Sequence, residues 1–220
     1  MSIIARFLAF SLFLTLYASQ LGAADDPAPM QASNHPQQLD HLRQLQGRAF
    51  DIEFMKHMIS HHAGAIELAD LAKDSATHPE IREFSVAVIE KQKKENEQME
   101  KMLNALGEKS SKPDAGMKHQ AKDAKAIMQT QPAEERDKVF LAKMTEHHQQ
   151  GVEAARLAVE RSSDANLKEM AQMMVDDQTK EIQRMAKWHH DWYGTDLPKP
   201  GHETPTGNKD DDHKPDHKQH

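Results

Sequence analysis

The chain repeats itself at an offset of 86 positions. DIEFMKHMISHHAGAIELADLA begins at Asp51, and DKVFLAKMTEHHQQGVEAARLA begins at Asp137. Asp51 aligns with Asp137, Phe54 with Phe140, Met58 with Met144, His61-His62 with His147-His148, and Glu67 with Glu153. The register persists downstream, where Gln92, Lys94, Glu95 and Met99 align with Gln178, Lys180, Glu181 and Met185. A constant offset over two separated blocks means two copies of one supersecondary unit, each needing the other to bury its apolar face. The matched residues are largely His, Met, Gln and Glu, a set that a plain apolar core does not require.

Each unit reads as a helical hairpin. The first helix is expected from about Gly47 to Ala76 and ends at the Thr77-His78-Pro79 punctuation. Pro79 suits the first turn of the second helix, which runs to Leu106 before Gly107. Pro132 opens the third helix, to about Ser162, and Ser163 or Asp164 caps the fourth, to about Tyr193. No segment alternates as a strand does. The expectation is an all-α chain, a ferritin-like antiparallel four-helix bundle made of two repeated helical hairpins.

Around this bundle the sequence reads as accessory segments. Residues 1–24 look like a signal peptide, with Arg6, an apolar run from Phe7 to Tyr17 too short to span a bilayer, and small residues at Gly22-Ala23-Ala24. Residues 25–46 are a polar lead expected to be disordered, the hairpins occupy 47–107 and 132–193, and 108–131 link them with a short helix around Lys118 to Met128. Residues 194–220 form a disordered His- and Asp-rich tail. The protein is therefore expected to be periplasmic or secreted, with no membrane association after cleavage. It has no cysteine, which excludes disulfides, thiolate metal sites and thiol catalysis. A net charge of −7 makes it a poor nucleic-acid binder. No glycine-rich phosphate loop and no supported Ser-His-Asp set occurs.

At about 100° per residue, Asp51, Met55, Met58, His62, Ile66 and Ala69 fall on one stripe of the first helix. His62 and His148 should point inward, with His61 and His147 nearer the helix–helix boundary. Folding each hairpin about its turn sets His62 opposite Gln92 and Glu95, and Met58 opposite Met99. The second copy sets His148 opposite Gln178 and Glu181, and Met144 opposite Met185. The expected interior has a polar layer of two His, two Glu and two Gln. Beside it lies one thioether layer of Met55, Met58, Met99, Met144 and Met185, with Asp51 and Asp137 further toward the open end.

Such a layer can be structural, each His bonding a Glu and each Met filling a gap. It can also hold metal, since inward His and Glu on facing helices build metal centres in bundles. Carboxylates are costly to bury unless paired, which favours the second reading. Ferritin-like di-iron sites use Glu-x-x-His, which is absent here. Thioether with imidazole suits copper, Cu(I) above all, and soft silver by the same logic; zinc and iron remain candidates. The candidate metal residues are Met55, Met58, His61, His62, Glu95, Met99, Met144, His147, His148, Glu181 and Met185. His57 and His61 form a further pair one turn apart, without a counterpart because position 143 is lysine. The tail histidines His202, His213, His217 and His220 offer a looser site among aspartates.

At the His-His blocks the chain resembles the domain of unknown function 305 family. The pattern is an acidic residue, aromatic and Met positions, a His-His pair, then Gln-x-x-Glu-x-x-x-Met. It is matched by Asp51, Phe54, Met55, Met58, His61, His62, Gln92, Glu95 and Met99, and again by Asp137, Phe140, Met144, His147, His148, Gln178, Glu181 and Met185. The second copy departs from it at Leu141, where the first has Met55. The resemblance implies a ferritin-like bundle and a role in copper binding and copper resistance, with metal ions as ligands and a metal-transfer protein as a candidate partner. Expected on this basis is a periplasmic copper buffer or chaperone. A ferritin-like metal oxidase and a metal-free helical interaction module are its rivals.

Overall fold

The structure, a computed structural model, describes residues 35–110, 122 and 125–197. The expected signal peptide, most of the polar lead and linker, and the tail beyond Leu197 lie outside these residues. All described secondary structure is helical: α1 (His35–Gln44), α2 (Gly47–Ser75), α3 (Pro79–Ala105), a short α4 at 125–130, α5 (Ala133–Arg161) and α6 (Ala165–Tyr193). Helices α2 with α3, and α5 with α6, form the two hairpins, and α2 packs on α5 to join them into a four-helix bundle.

Local signals fix the helix ends. Pro79 occupies the first turn of α3, where its missing N–H costs nothing. Asp164 caps α6, its side chain accepting from Leu167 N at 3.0 Å. Gly194 ends α6 in the left-handed region at φ 68°, a conformation that other residues adopt only with strain.

The hairpins pack head to tail. The Asp51 carboxylate, at the start of α2, accepts from Ser163 N at 3.2 Å and Ser163 Oγ at 2.5 Å, in the α5–α6 turn. Asp137, the equivalent residue of α5, accepts from Thr77 N at 3.0 Å, His78 N at 2.9 Å and His78 Nδ1 at 2.6 Å in the α2–α3 turn. The start of each hairpin is thus tied to the turn of the other, and α2 runs antiparallel to α5. This corrects the expectation that Asp51 and Asp137 sit together toward an open end. They lie at opposite ends, each satisfying turn N–H groups that would otherwise be orphaned.

The same topology splits the core. One apolar cluster holds Phe50, Phe54, Met55, Met58, Met99 and Leu103 with Leu167, Met170 and Met174; the other holds Ala65, Ile81, Phe84 and Val88 with Phe140, Leu141, Met144 and Met185. Each fully buried Phe or Met contributes roughly 1.5–3 kcal/mol. The histidine pairs lie between the clusters in sequence on both α2 and α5.

Three segments differ from the expected boundaries. The lead is not wholly disordered: α1 carries Leu39 and Leu42, both buried against α2 and α5. Two leucines among polar residues are too few to mark a helix by periodicity, and this one is ordered by the groove that it fills. Arg43 supports it, pairing with Glu153 at 2.9 Å while its carbonyl accepts from Arg161 at 2.9 Å. In the linker, α4 buries Met128 in the second cluster. At the other end, packing contacts continue past Tyr193. His189 Nδ1 donates to Thr195 O at 2.7 Å and Leu197 packs on the second cluster.

Candidate metal centre

A belt of polar groups crosses the bundle between the two apolar clusters. His62 and His148 are fully buried, and Gln92 and Gln178 nearly so. His62 Nδ1 lies 2.8 Å from Asn96 Oδ1, and its Nε2 lies 3.5 Å from Glu95 Oε2. In the second copy, His148 Nε2 donates to Glu181 Oε2 at 2.8 Å. Lys91 spans the two hairpins, 2.7 Å from Asp177 and 3.8 Å from Glu181. Helical spacing therefore brings each inward His to its facing Glu, as expected. Asn96, Lys91 and Asp177 were not singled out by it.

His61 and His147 meet across the α2–α5 boundary. Their ring centroids are 3.7 Å apart, tilted by 33°, and His147 Nε2 donates to His61 O at 3.0 Å. Gly151 makes room at this crossing: a Cβ there would collide with Gln178 Oε1 and stand 3.1 Å from His61 Cε1. His57 lies one turn from His61, with ring centroids 6.2 Å apart.

Burial dominates the electrostatics. It pushes the His62 imidazole down to about 4, so this ring is neutral near pH 7 and one nitrogen carries a lone pair. It pushes the Glu95 carboxyl up to about 7, opposed by Lys91 and reinforced by Glu181 and Asp177. Neither member of the His62–Glu95 pair is thus held firmly in its charged form.

The thioethers do not form the single expected layer. Met55, Met58 and Met99 belong to one apolar cluster and Met144 and Met185 to the other. The reason is the antiparallel packing of α2 on α5. Met58 precedes His62 on a helix running one way, and Met144 precedes His148 on a helix running the other, so the two fall on opposite sides of the belt. Met170 and Met174, from α6, join the first group. Their equivalents in the first repeat are Phe84 and Val88, a difference the alignment already contained.

Among the described residues, no group of three or more His, Cys, Asp or Glu is arranged to hold a metal ion. The donor chemistry fits a soft ion instead. Buried nitrogen atoms, His62 Nε2 and His148 Nδ1, have no hydrogen-bond partner among the described residues. Each of these rings lies one helical turn from a buried thioether, Met58 or Met144. Imidazole and thioether together are the ligands that Cu(I) prefers over harder divalent ions.

Comparison with known proteins gives a consistent picture. The model of the family described as domain of unknown function DUF305 matches residues 16–103, 51–188 and 137–220. Two of the matches begin at Asp51 and Asp137, the offset of the repeat. No curated protein matches. Among solved structures, a DUF305 protein from Streptomyces coelicolor, described as secreted, is 24% identical with a TM-score of 0.59, over 66% of this chain and 94% of that one. CopM in its Cu(II)-bound form is 26% identical with a TM-score of 0.57, over 65% of this chain and 97% of CopM. A DUF305 fragment from Deinococcus radiodurans is 25% identical with a TM-score of 0.57, over 63% of this chain and 93% of the fragment. CopM has also been solved with Cu(I) and with silver.

Proposed function

This chain belongs to the DUF305 family, and from that premise we propose that it is an exported copper-binding protein. It holds cuprous ion, or silver, through Met and His side chains, to buffer the free ion or deliver it. The observation that carries this reading is the repeated pairing of a buried thioether with a buried, incompletely bonded imidazole, Met58 with His62 and Met144 with His148. An apolar core alone has no use for an imidazole at both positions, whereas a soft ion needs both donor types. CopM, a structural neighbour of similar fold, has been solved with Cu(I), Cu(II) and silver bound, which supports copper or silver as the ion. The apolar, positively led segment before Asp25 supports export. No helix of the described residues is long and apolar enough to cross a membrane.

The chemistry is ligand exchange. A neutral His62 accepts an ion without first losing a proton, and the flanking thioethers carry no charge, so loading Cu(I) buries a single positive charge. Glu95 and Glu181 lie beside the imidazoles to offset it. The decisive test is a titration with cuprous, cupric, zinc and ferrous ions, with elemental analysis after desalting. Retained copper that disappears on alanine replacement of Met58, His62, Met144 and His148 together supports the reading. An equally stable bundle that retains no metal sinks it and makes the histidines structural. Oxygen uptake on addition of cuprous or ferrous ion would point instead to a metal oxidase.

A further inference from the structure

The two copies have matching sequences at the belt but not matching chemistry. In the first, Asn96 Oδ1 lies 2.8 Å from His62 Nδ1. An amide oxygen only accepts, so Nδ1 carries the proton and Nε2, the ring nitrogen further from the main chain, presents its lone pair. That Nε2 is buried and has no hydrogen-bond partner among the described residues. Orienting a ring through its other N–H is how proteins prepare a histidine for a metal. In the second copy the equivalent of Asn96 is Ile182, and the ring adopts the other tautomer, donating from Nε2 to Glu181 at 2.8 Å.

The sulfurs differ in the same sense. The Thr145 hydroxyl lies 3.8 Å from Met185 Sδ, within hydrogen-bonding reach of a thioether. The residue equivalent to Thr145 beside Met99 is Ile59, which offers no donor. Met55 is replaced by Leu141 in the second copy. The first cluster contains five buried methionines, Met55, Met58, Met99, Met170 and Met174, against Met128, Met144 and Met185 in the second.

Resting on the copper-binding reading, we infer that the chain has one preorganised soft-ion site, in the first half, built on His62 Nε2 with the thioethers of Met58 and Met99 and oriented by Asn96. In the second half the outer nitrogen and one sulfur are already engaged, and the unbonded ring nitrogen is Nδ1, nearer the main chain. Asn96 is a positioning residue, since it acts through the ring of His62. Met55, Met170 and Met174 keep the surroundings soft and dry.

The test is a cuprous-ion titration of the full chain in competition with a coloured cuprous chelator. The expected result is one tight equivalent. Met58→Leu, which removes a sulfur with little change in volume, should weaken that equivalent at least ~10-fold, and by more than Met144→Leu does. Asn96→Leu should weaken it by ~10–100-fold, and Asn96→Asp, which still accepts from Nδ1, should restore it. A structural role alone would move the melting temperature of Asn96→Leu but not the affinity of the folded protein. Equal losses from Met58→Leu and Met144→Leu, or an Asn96→Leu variant of wild-type affinity, overturn the one-site inference and leave copper binding standing. Absence of any cuprous binding by the unmodified chain overturns both.

Discussion

Asp137 accepts the backbone N–H of Thr77, 60 positions earlier in the chain, at 3.0 Å and 3.1 Å from its two carboxylate oxygens. The same carboxylate takes the Thr77 hydroxyl, His78 N and His78 Nδ1, and is itself fully buried. Asp51 makes the equivalent tie to the other turn through Ser163 N and Oγ alone. Replacing Asp137 by Ala leaves several part-buried donors of the α2–α3 turn without their acceptor, at about 1–3 kcal/mol for the group of greatest desolvation cost. We expect Asp137→Ala to lose about 2–4 kcal/mol and Asp51→Ala about half that. Urea unfolding of both variants checks the order, and a larger loss for Asp51→Ala would contradict it.

The Asp137 tie should also respond to acid. Burial by itself raises its carboxyl, but the hydrogen bonds from Thr77 and His78 outweigh burial and hold it below its usual 3.8. A group with a depressed folded value binds fewer protons folded than unfolded. Its stabilisation is therefore complete above the unfolded value and lost as pH falls through the folded one. The stability gap between wild type and Asp137→Asn should shrink as pH falls below about 4. A gap that widens on acidification would mean that the carboxylate is not the stabilising species.

The repeat made most of this architecture legible. An offset shared by His61-His62 and His147-His148 implies two hairpins, and Pro79, Asp164 and Gly194 mark helix ends by local chemistry. It also pairs His62 with Glu95 and His148 with Glu181 from spacing alone. The mutual direction of the hairpins was not legible, because either direction buries the same stripes. That one missing choice placed Met58 and Met144 in a common layer when they lie on opposite sides of the belt. Helix α1 was missed because its order comes from a groove between α2 and α5 rather than from its own periodicity. Asn96 and Thr145 carry no signal of this kind, because their counterparts, Ile182 and Ile59, break the repeat rather than continue it.

The contacts that follow α6 offer a further test. His189 Nδ1 donates to Thr195 O at 2.7 Å, and Leu197 packs on the second apolar cluster. A chain ending at Tyr193 loses both and leaves the His189 ring, which is buried, without that acceptor. Ending the chain at Leu197 keeps them. The shorter form should be less stable by about 1–3 kcal/mol, read as a melting temperature several degrees lower. Identical melting curves would show that residues 195–197 add nothing.

Gly151 offers the sharpest test of the α2–α5–α6 crossing. Alanine is preferred to glycine inside a helix by about 1 kcal/mol, so Gly151→Ala would ordinarily stabilise α5. Here the added Cβ would collide with Gln178 Oε1 and press on His61 Cε1 at 3.1 Å. Gln178 is buried and its Oε1 has no hydrogen-bond partner among the described residues, so no bond holds that oxygen but it has little space into which to turn. The substitution should therefore be neutral or destabilising on its own. In a Gln178→Ala background the collision with the amide is gone, and Gly151→Ala should be more favourable by about 1 kcal/mol or more than in the wild type. The equivalent position of the first repeat is already alanine, Ala65, and Ala65→Gly should cost the ordinary helix penalty of about 1 kcal/mol together with the buried methyl. A four-variant thermal unfolding cycle measures the coupling. If Gly151→Ala stabilises the protein equally in both backgrounds, the amide does not occupy the space that glycine leaves.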